Sequence, residues 1–282
     1  MNDVQSFVSD LADRSAVKGN LSDIFRDDQG VIRCRRCGER RVAFIPTIGR
    51  ELPVACRCWS ERAAAAQKAQ SILAADLKAR SSAFFVRGYE GFTFERDAWP
   101  DCEASQQCRL WVDHWDEMRT SNYGLLFSGR VGTGKTFYAA AAVNALRTRG
   151  VSAIICTAAN LVNVVQASRN PLAAIDELDS FGLVVLDDLG AERSSDYAIS
   201  QVEIFIDRRA LSGRPLIVTT NFSAVQMRQP EDLRWARTFD RILSLCPQVI
   251  VTTGDSLRKA DRRDRAAACA AILRGGEVDG NV

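Results

Sequence analysis

The chain has 282 residues, of which 46% are hydrophobic and 26% charged, a balance typical of a soluble globular protein and not of a disordered one. Its formal net charge of +2 supplies no strong electrostatic field, so any nucleic-acid surface would be a local basic patch. No run approaches the ~20 consecutive apolar residues of a membrane helix, and the first residues lack the features of a signal peptide, so we expect a cytoplasmic protein without a membrane partner.

Residues 1–62 are predicted to form a small N-terminal module. A weak helical pattern from Val4 to Leu11 precedes a polar turn, "DDQG". Two short β-like runs follow, Val42 to Ile45 and Leu52 to Ala55, and both lie between two pairs of cysteines. The segment is too short to bury a large core, so we expect that it depends on a metal for its stability.

The two cysteine pairs predict a metal site in this module. Cys34 and Cys37 are spaced as CxxC, and after eighteen intervening residues Cys56 and Cys58 are spaced as CxC. A disulfide is disfavoured in a reducing cytoplasm, whereas four thiolates at this spacing suit a closed tetrahedral Zn²⁺ site. Arginines flank both pairs and favour the thiolate form. The pattern therefore predicts structural zinc, with the alternative that two of the four are plain buried thiols.

A linker helix is predicted over residues 63–82. The run from Glu61 to Arg80, "ERAAAAQKAQSILAADLKAR", is rich in helix formers and contains no Gly or Pro. From residue 83 to 260, strand patterns alternate with helix patterns, which indicates an α/β domain with a central parallel sheet. Residues 261–282 are predicted to be a basic helix and a flexible tail; a solvated helix surface is the simpler interpretation, and a DNA-backbone contact stays open.

The segment "LLFSGRVGTGKTFYAAA" carries a phosphate-binding loop. Gly129, four residues, then Gly134, Lys135 and Thr136 match the P-loop pattern, and the loop lies between a buried-strand run and a helix closed by a glycine. Glycines at 129, 132 and 134 and the neighbouring Thr133 let backbone N–H groups surround phosphates, while Lys135 reaches the outer phosphates and Thr136 ligates Mg²⁺. The pattern predicts ATP and Mg²⁺ as cofactors.

Two further strand ends supply polar groups for that site. "FGLVVLDDLGAER" places Asp187 and Asp188 at the end of an apolar run, and "RPLIVTTN" ends in Asn221. We expect Asp187 to hold Mg²⁺ through water, Asp188 to orient and deprotonate the attacking water, and Asn221 to position that water or sense the γ-phosphate. The only histidine, His114, has no nucleophile beside it and is interpreted as a surface or packing residue.

These motifs together resemble the AAA+ ATPases of the bacterial and phage helicase-loader clade, DnaC- and DnaI-like, with the IstB-like transposition helpers as close relatives. The resemblance spans about residues 84–258. "GRVGTGKT" is similar to the family's Walker A motif, "LVVLDDLGAE" to its Walker B motif and "IVTTN" to its sensor 1. It implies an AAA+ P-loop domain behind the N-terminal zinc-binding module.

The resemblance also assigns roles to three arginines. "RWARTFDRI" resembles the segment that carries the arginine finger, which implies that Arg241, or alternatively Arg237, completes a neighbouring subunit's ATP site. "TTGDSLRK" resembles the last strand and sensor 2, which implies that Arg258 reaches the γ-phosphate within its own subunit. Many AAA+ enzymes carry Glu where this chain has Asp188, so we expect slow, switch-like hydrolysis that depends on assembly.

The function implied is that of an ATP-dependent helicase loader. By resemblance, the N-terminal module grips the hexameric replicative helicase, and the AAA+ part assembles into a ring or spiral that binds single-stranded DNA through its phosphates. The basic run "RCRRCGERR" leaves open that the module is instead a nucleic-acid-binding zinc ribbon. Two other functions stay open: a transposition helper that coats duplex DNA and recruits a transposase, and a nucleotide-dependent scaffold with negligible hydrolysis.

Overall fold

The computed structural model describes residues 23–47, 49–190 and 195–253, with the isolated helical positions 266, 269, 270 and 273. Two compact units divide at Gln70 and Ser71. In this described part of the chain, no helix combines the length and the apolar character that crossing a bilayer requires. The helical pattern predicted from Val4 to Leu11 lies outside the described residues, as does Arg258.

The first unit contains two small antiparallel hairpins and the start of a long helix. The strands are β1 (Ile24–Arg26), β2 (Ile32–Cys34), β3 (Val42–Ile45) and β4 (Arg50–Pro53), paired β1 with β2 and β3 with β4. Strand β4 begins two residues before the predicted run at Leu52, because Ile45 pairs with Arg50 across a tight turn and fixes the register. Helix α1 (Arg57–Ser81) begins four residues before the predicted start at Glu61, where the Cys56 carbonyl accepts from the N–H of Ser60.

A five-stranded parallel sheet forms the centre of the second unit and confirms the predicted α/β fold. Its strands are β5 (Leu125–Gly129), β6 (Ala153–Thr157), β7 (Leu183–Leu189), β8 (Leu216–Thr220) and β9 (Gln248–Thr252), and their order is β6-β7-β8-β5-β9. The strands β5 to β8 are almost continuous apolar runs because helices cover both faces of the sheet.

Two helices of this unit precede the first strand of the sheet, and the others follow strands. They are α2 (Glu103–Asp113), α3 (Trp115–Thr120), α4 (Lys135–Thr148), α5 (Ala158–Ala167), α6 (Pro171–Asp179), α7 (Asp196–Ser212), α8 (Ala224–Arg228) and α9 (Ala236–Leu245). One buried core packs Leu126 against α5, α6, α7 and α9, and the other packs Leu125 against α2, α3 and α4, since successive side chains of a strand point to opposite faces. Trp111 and Trp115 lie in the second core.

The carboxyl ends of the strands meet at one edge of this sheet. Ser128 of β5 is in register with Thr220 of β8, Gly129 with Thr252 of β9, and Thr157 of β6 with Asp187 of β7. In an open parallel sheet, ligands bind at this edge. The P-loop, the paired aspartates and Asn221 therefore follow strand ends at the same edge.

Candidate nucleotide and metal sites

The P-loop connects β5 to α4 and requires its glycines for physical reasons. Gly132 and Gly134 have φ angles of 86° and 93°, in the left-handed region that favours glycine. A Cβ at Gly129 would collide with the carbonyl oxygen of Thr252 and lie 2.5 Å from its hydroxyl. Thr133 ties the loop to the sheet, because its Oγ1 lies 2.6 Å from the Thr252 Oγ1. Helix α4 begins at Lys135, so its N-terminus adjoins the loop.

The Lys135 side chain contacts the backbone of the P-loop. Its Nζ donates to the carbonyl oxygens of Gly129 and Arg130, each at 2.8 Å, and to the Asn221 Oδ1 at 2.9 Å, and the residue is buried. This hydrogen bond joins Asn221, the predicted sensor residue, to Lys135, the residue predicted to bind the outer phosphates. Anionic phosphate oxygens would attract this amine more strongly than neutral carbonyl oxygens do, because charge-assisted hydrogen bonds are the stronger ones.

Asp187 and Thr136, the residues predicted to hold Mg²⁺, contact each other. The Thr136 hydroxyl donates to the Asp187 Oδ1 at 3.0 Å. Asp187 also accepts from the Thr219 hydroxyl at 2.6 Å and is 3% exposed. Burial raises the pKa of Asp187, while the hydroxyl donors Thr219 and Thr136 oppose that shift. A buried carboxylate beside a hydroxyl fits Mg²⁺, which prefers oxygen ligands and offsets the cost of the buried charge.

Asp188 and Asn221 are both exposed at the same edge of the sheet. Asp188 has a φ angle of 58°, unusual for a residue with a side chain, and it lies where the β7–β8 pairing is interrupted between Leu186 and Leu189. The bulge at this point redirects the two successive carboxylates, of which one is buried and one is open to solvent. This arrangement suits a metal-binding Asp187 and a water-facing Asp188.

The sequence profile described as "IstB-like ATP binding protein" matches residues 103–265, which include the P-loop, the paired aspartates and Asn221. The chain belongs to the IstB-like ATP-binding family. The replicative helicase loader DnaC of Escherichia coli K12 is 31% identical over 151 residues, 50% of this chain and 59% of DnaC. DnaC of Buchnera aphidicola subsp. Schizaphis graminum is 30% identical over 133 residues, 45% of this chain and 53% of that loader. The chain thus spans less than two thirds of the length of these relatives.

Solved structures extend the comparison at the level of the fold. A crystal structure of DnaI superposes with a TM-score of 0.50 at 23% identity, covering 61% of this chain and 94% of that one. The DnaC helicase loader structure gives a TM-score of 0.52 at 21% identity, covering 60% of this chain and 100% of that one. The IstB-like chain therefore has the AAA+ P-loop fold that its motifs predicted.

The predicted arginine fingers of this IstB-like chain are exposed on α9 and pair with α7. Arg241 Nε lies 3.3 Å from the Asp207 Oδ1, and the Arg237 guanidinium lies 3.3 Å from Glu203 and 3.8 Å from Asp207. The side chains of Arg241 and Arg237 are 48% and 69% exposed. Both guanidinium groups are thus accessible to a second subunit. The third predicted arginine, Arg258, lies outside the described residues.

Two cavities differ in their relation to the site. One of about 170 Å³ opens beside the P-loop and is lined by Thr133, Tyr138, Thr252 and the half-exposed Trp99, among others. A larger one, about 760 Å³, is lined by Gly182 and other residues at the opposite edge of the sheet. The smaller cavity adjoins the P-loop through Thr133, and the larger one lies away from it.

Sequence reasoning missed Thr219 and Tyr89 as parts of the site. Thr219 contacts both halves of the aspartate pair: its hydroxyl donates to Asp187 and accepts from the backbone N–H of Asp188 at 2.9 Å. Tyr89 places its hydroxyl 3.5 Å from the Asp187 Oδ2. Burial raises the pKa of Tyr89 to about 12, so the hydroxyl keeps its proton at neutral pH. The only signal for Thr219 in the sequence was its place in the "VTTN" motif. The sequence does not show which residue of β7 lies beside it.

The four predicted zinc ligands of the first unit converge. The Sγ atoms of Cys34, Cys37, Cys56 and Cys58 all lie within 4.8 Å of one another. Cys58 Sγ lies 3.5 Å from both Cys34 Sγ and Cys56 Sγ. A tetrahedron with Zn–S bonds of ~2.3 Å separates its sulfurs by ~3.8 Å, so the cluster is compatible with Zn²⁺.

The surroundings of the cysteine cluster favour thiolate at Cys34 and oppose it at Cys58, where burial and the neighbouring cysteines raise the pKa to about 12. Burial opposes ionisation of Cys34, but backbone N–H groups of Cys37 and Arg36 and the neighbouring thiols outweigh it and lower the pKa of Cys34 to about 6. The buried Arg41 directs its Nη1 at the Cys56 Sγ, 3.6 Å away. A guanidinium beside the cluster offsets the negative charge that four thiolates leave on a zinc site.

Proposed function

We propose that this chain is an ATP-dependent loader of a hexameric replicative DNA helicase. It binds the helicase through residues 1–62 and helps to place it on single-stranded DNA during replication initiation, in the bacterial cytoplasm. The observation that carries the proposal is the similarity to the DnaC loaders together with an ATP site whose side chains are already in contact. Residues 63–82 act as a linker, 83–260 as the ATPase domain and 261–282 as a basic helix and tail.

In the ATPase step, the P-loop binds the phosphates, and residues at the strand ends bind the metal and position the attacking water. Backbone N–H groups from Gly129 to Thr136 surround the phosphates, and Lys135 leaves the loop carbonyls for the outer phosphates. Thr136 and Asp187 would hold Mg²⁺, which when bound offsets the charge that develops on the γ-phosphoryl group. Asp188 accepts the proton of the attacking water.

Asn221 changes partners in this scheme. Its Oδ1 accepts from Lys135 in the structure. Transfer of the lysine amine to phosphate frees the Asn221 amide to orient the water, so phosphate binding and water positioning are coupled through one hydrogen bond. Hydrolysis is slow because Asp188 is shorter than the Glu common among AAA+ enzymes.

Hydrolysis depends on a neighbouring subunit. Arg241, with Arg237 as the alternative, is exposed and would enter the neighbour's ATP site in a ring or spiral on the helicase. Arg258 would reach the γ-phosphate within its own subunit. ATP then stabilises the assembled state that grips single-stranded DNA, and hydrolysis releases it.

A second function is favoured by the family profile itself. The profile is that of an IstB-like ATP-binding protein, and the resemblance to IstB-like transposition helpers implies a protein that coats duplex DNA and recruits a transposase. The cysteine cluster in the first unit favours the loader, because the weaker resemblance of that module is to the N-terminal region of loaders, which sometimes carries zinc and grips the helicase.

Native mass spectrometry of the full-length chain with the replicative helicase of its host separates the two functions. With ATP, we expect several copies of the chain on each helicase hexamer, and we expect the double variant Cys34→Ser, Cys37→Ser to lose the complex while still binding nucleotide. Absence of a complex in ATP and in ADP, together with ATP-dependent coating of duplex DNA, would move the assignment to the transposition helper.

A further inference from the structure

The two aspartates at the end of β7 lie opposite a single residue of β8. Leu186 pairs with Val218 and Leu189 pairs with Thr220, so Asp187 and Asp188 together face Thr219. Two residues against one is a β-bulge, which bends the strand and redirects side chains. The bulge lies at these two residues, of which Asp187 is buried and Asp188 is exposed.

The Thr219 hydroxyl occupies this interruption. Its Oγ1 accepts the backbone N–H of Asp188 at 2.9 Å and lies 2.6 Å from the Asp187 Oδ1, and the residue is 1% exposed. A hydroxyl has one proton. Because the Asp188 N–H points to this oxygen, the hydroxyl proton is directed to the Asp187 carboxylate.

We propose that Thr219 is a positioning residue for both carboxylates of the proposed ATPase, and the proposal rests on that function. Binding of Mg²⁺ would engage the Thr136 hydroxyl, which is one of the donors to Asp187. Thr136 can still donate its proton when its oxygen is a metal ligand, but Thr219 is the closer hydroxyl donor, at 2.6 Å against 3.0 Å, and so orients the Asp187 carboxylate that would face the metal. The same oxygen holds the Asp188 backbone in its left-handed conformation and so sets where the Asp188 side chain points.

A purely structural role for Thr219 makes a different prediction. A β-branched residue in a buried strand is suited to filling space, and valine would fill it equally well. The positioning role requires the hydroxyl, so serine should retain function and valine should lose it. Thr220 offers a matched control, because it is 0% exposed on the same strand and its hydroxyl donates to the Leu189 carbonyl instead of a carboxylate.

The test uses the full chain and two measurements: affinity for a fluorescent ATP analogue in EDTA and across a Mg²⁺ series, and ATP turnover against Mg²⁺ concentration. For Thr219→Val we expect affinity in EDTA within about twofold of wild type and an about tenfold higher Mg²⁺ concentration for the half-maximal effect. We expect turnover to fall at least about tenfold, since Asp188 also loses its backbone anchor. Thr219→Ser and Thr220→Val should both keep the wild-type Mg²⁺ response.

The proposal is overturned if Thr219→Val keeps the wild-type Mg²⁺ response, or if Thr220→Val shifts it equally. Failure of this proposal can be distinguished from failure of the ATPase assignment. Even if the wild-type chain hydrolyses no ATP, the Mg²⁺ dependence of its nucleotide affinity can still be measured. If the valine variant does not fold, Thr219→Cys provides the comparison, since a thiol keeps the volume and is a weak hydrogen-bond donor.

Discussion

Arg209 shows at the scale of one residue how the sheet is held in register. It is 0% exposed, and its guanidinium donates to the carbonyl oxygens of Asp179, Phe181, Gly182 and Pro215. These carbonyls lie just before β7 and β8, so one side chain fixes the starts of the two strands whose far ends carry the site. Burial lowers the pKa of Arg209 to about 10, and it remains charged at neutral pH.

Substitution Arg209→Met should therefore destabilise the protein strongly. It leaves buried carbonyl oxygens and part of the Asp179 carboxylate without their donor, which we expect to cost about 3 kcal/mol of unfolding free energy. Urea denaturation followed by circular dichroism measures the loss.

The adjacent Arg208 is the control for that measurement. It is 45% exposed and pairs with Asp176 at 3.2 Å. A surface pair of this kind contributes less than about 1 kcal/mol, so Arg208→Met should be nearly neutral. Equal losses for the two variants would contradict the structural role of Arg209.

At the scale of elements, local motifs were predictable and pairings between distant segments were not. The P-loop and each cysteine pair are short motifs of neighbouring residues, so the sequence shows them directly. The parallel sheet follows from the alternation of strand and helix patterns along the chain. The β7–β8 bulge depends on which residues of two strands pair, so Thr219 carried no role in the sequence. The ion pair between Arg241 and Asp207 joins helices α7 and α9 and was equally invisible. Tertiary packing, and not propensity, decides these contacts.

Zinc should stabilise the first unit and leave the ATP site unaffected. We expect one Zn²⁺ per chain, and we expect its loss in Cys34→Ser or under a strong chelator because four thiolates are needed to close the site. Metal analysis gives the stoichiometry. When zinc is lost, the rate of amide hydrogen exchange should rise in residues 23–56 and stay unchanged around the P-loop.

Cys269 is exposed and provides the control for zinc binding. Cys269→Ser should keep one zinc per chain and the wild-type exchange pattern. A chain that retains zinc after Cys34→Ser, or that never holds it, would contradict the proposed ligand set.

At the scale of the whole molecule, the proposed role of Arg241 as an arginine finger requires that subunits complete each other's ATP sites. Arg241→Ala should bind ATP normally and lose about 10³-fold or more in assembly-stimulated turnover, because a trans-acting arginine stabilises charge only in the transition state. Asp188→Asn should also be inactive while it still presents Arg241. Arg237→Ala tests the alternative finger.

Mixing the two inactive variants distinguishes a finger from a residue that acts in its own subunit. In a mixed assembly, an Asp188→Asn subunit can supply its Arg241 to the ATP site of a neighbouring Arg241→Ala subunit, whose Asp188 is intact. ATP turnover should therefore return in part. No recovery at any mixing ratio, with assembly shown to be normal, would contradict action across the interface.

We propose that ATP binding by this chain drives helicase loading, and strand displacement tests this most directly. A forked DNA is coated with single-strand-binding protein, and the initial rate of unwinding by the replicative helicase is measured with the full-length chain or with Lys135→Ala. We predict that the wild-type chain with ATP accelerates unwinding, and that the variant, or the wild type with ADP alone during loading, does not. Equal stimulation by the wild type and by Lys135→Ala, or none by either, would contradict the claim.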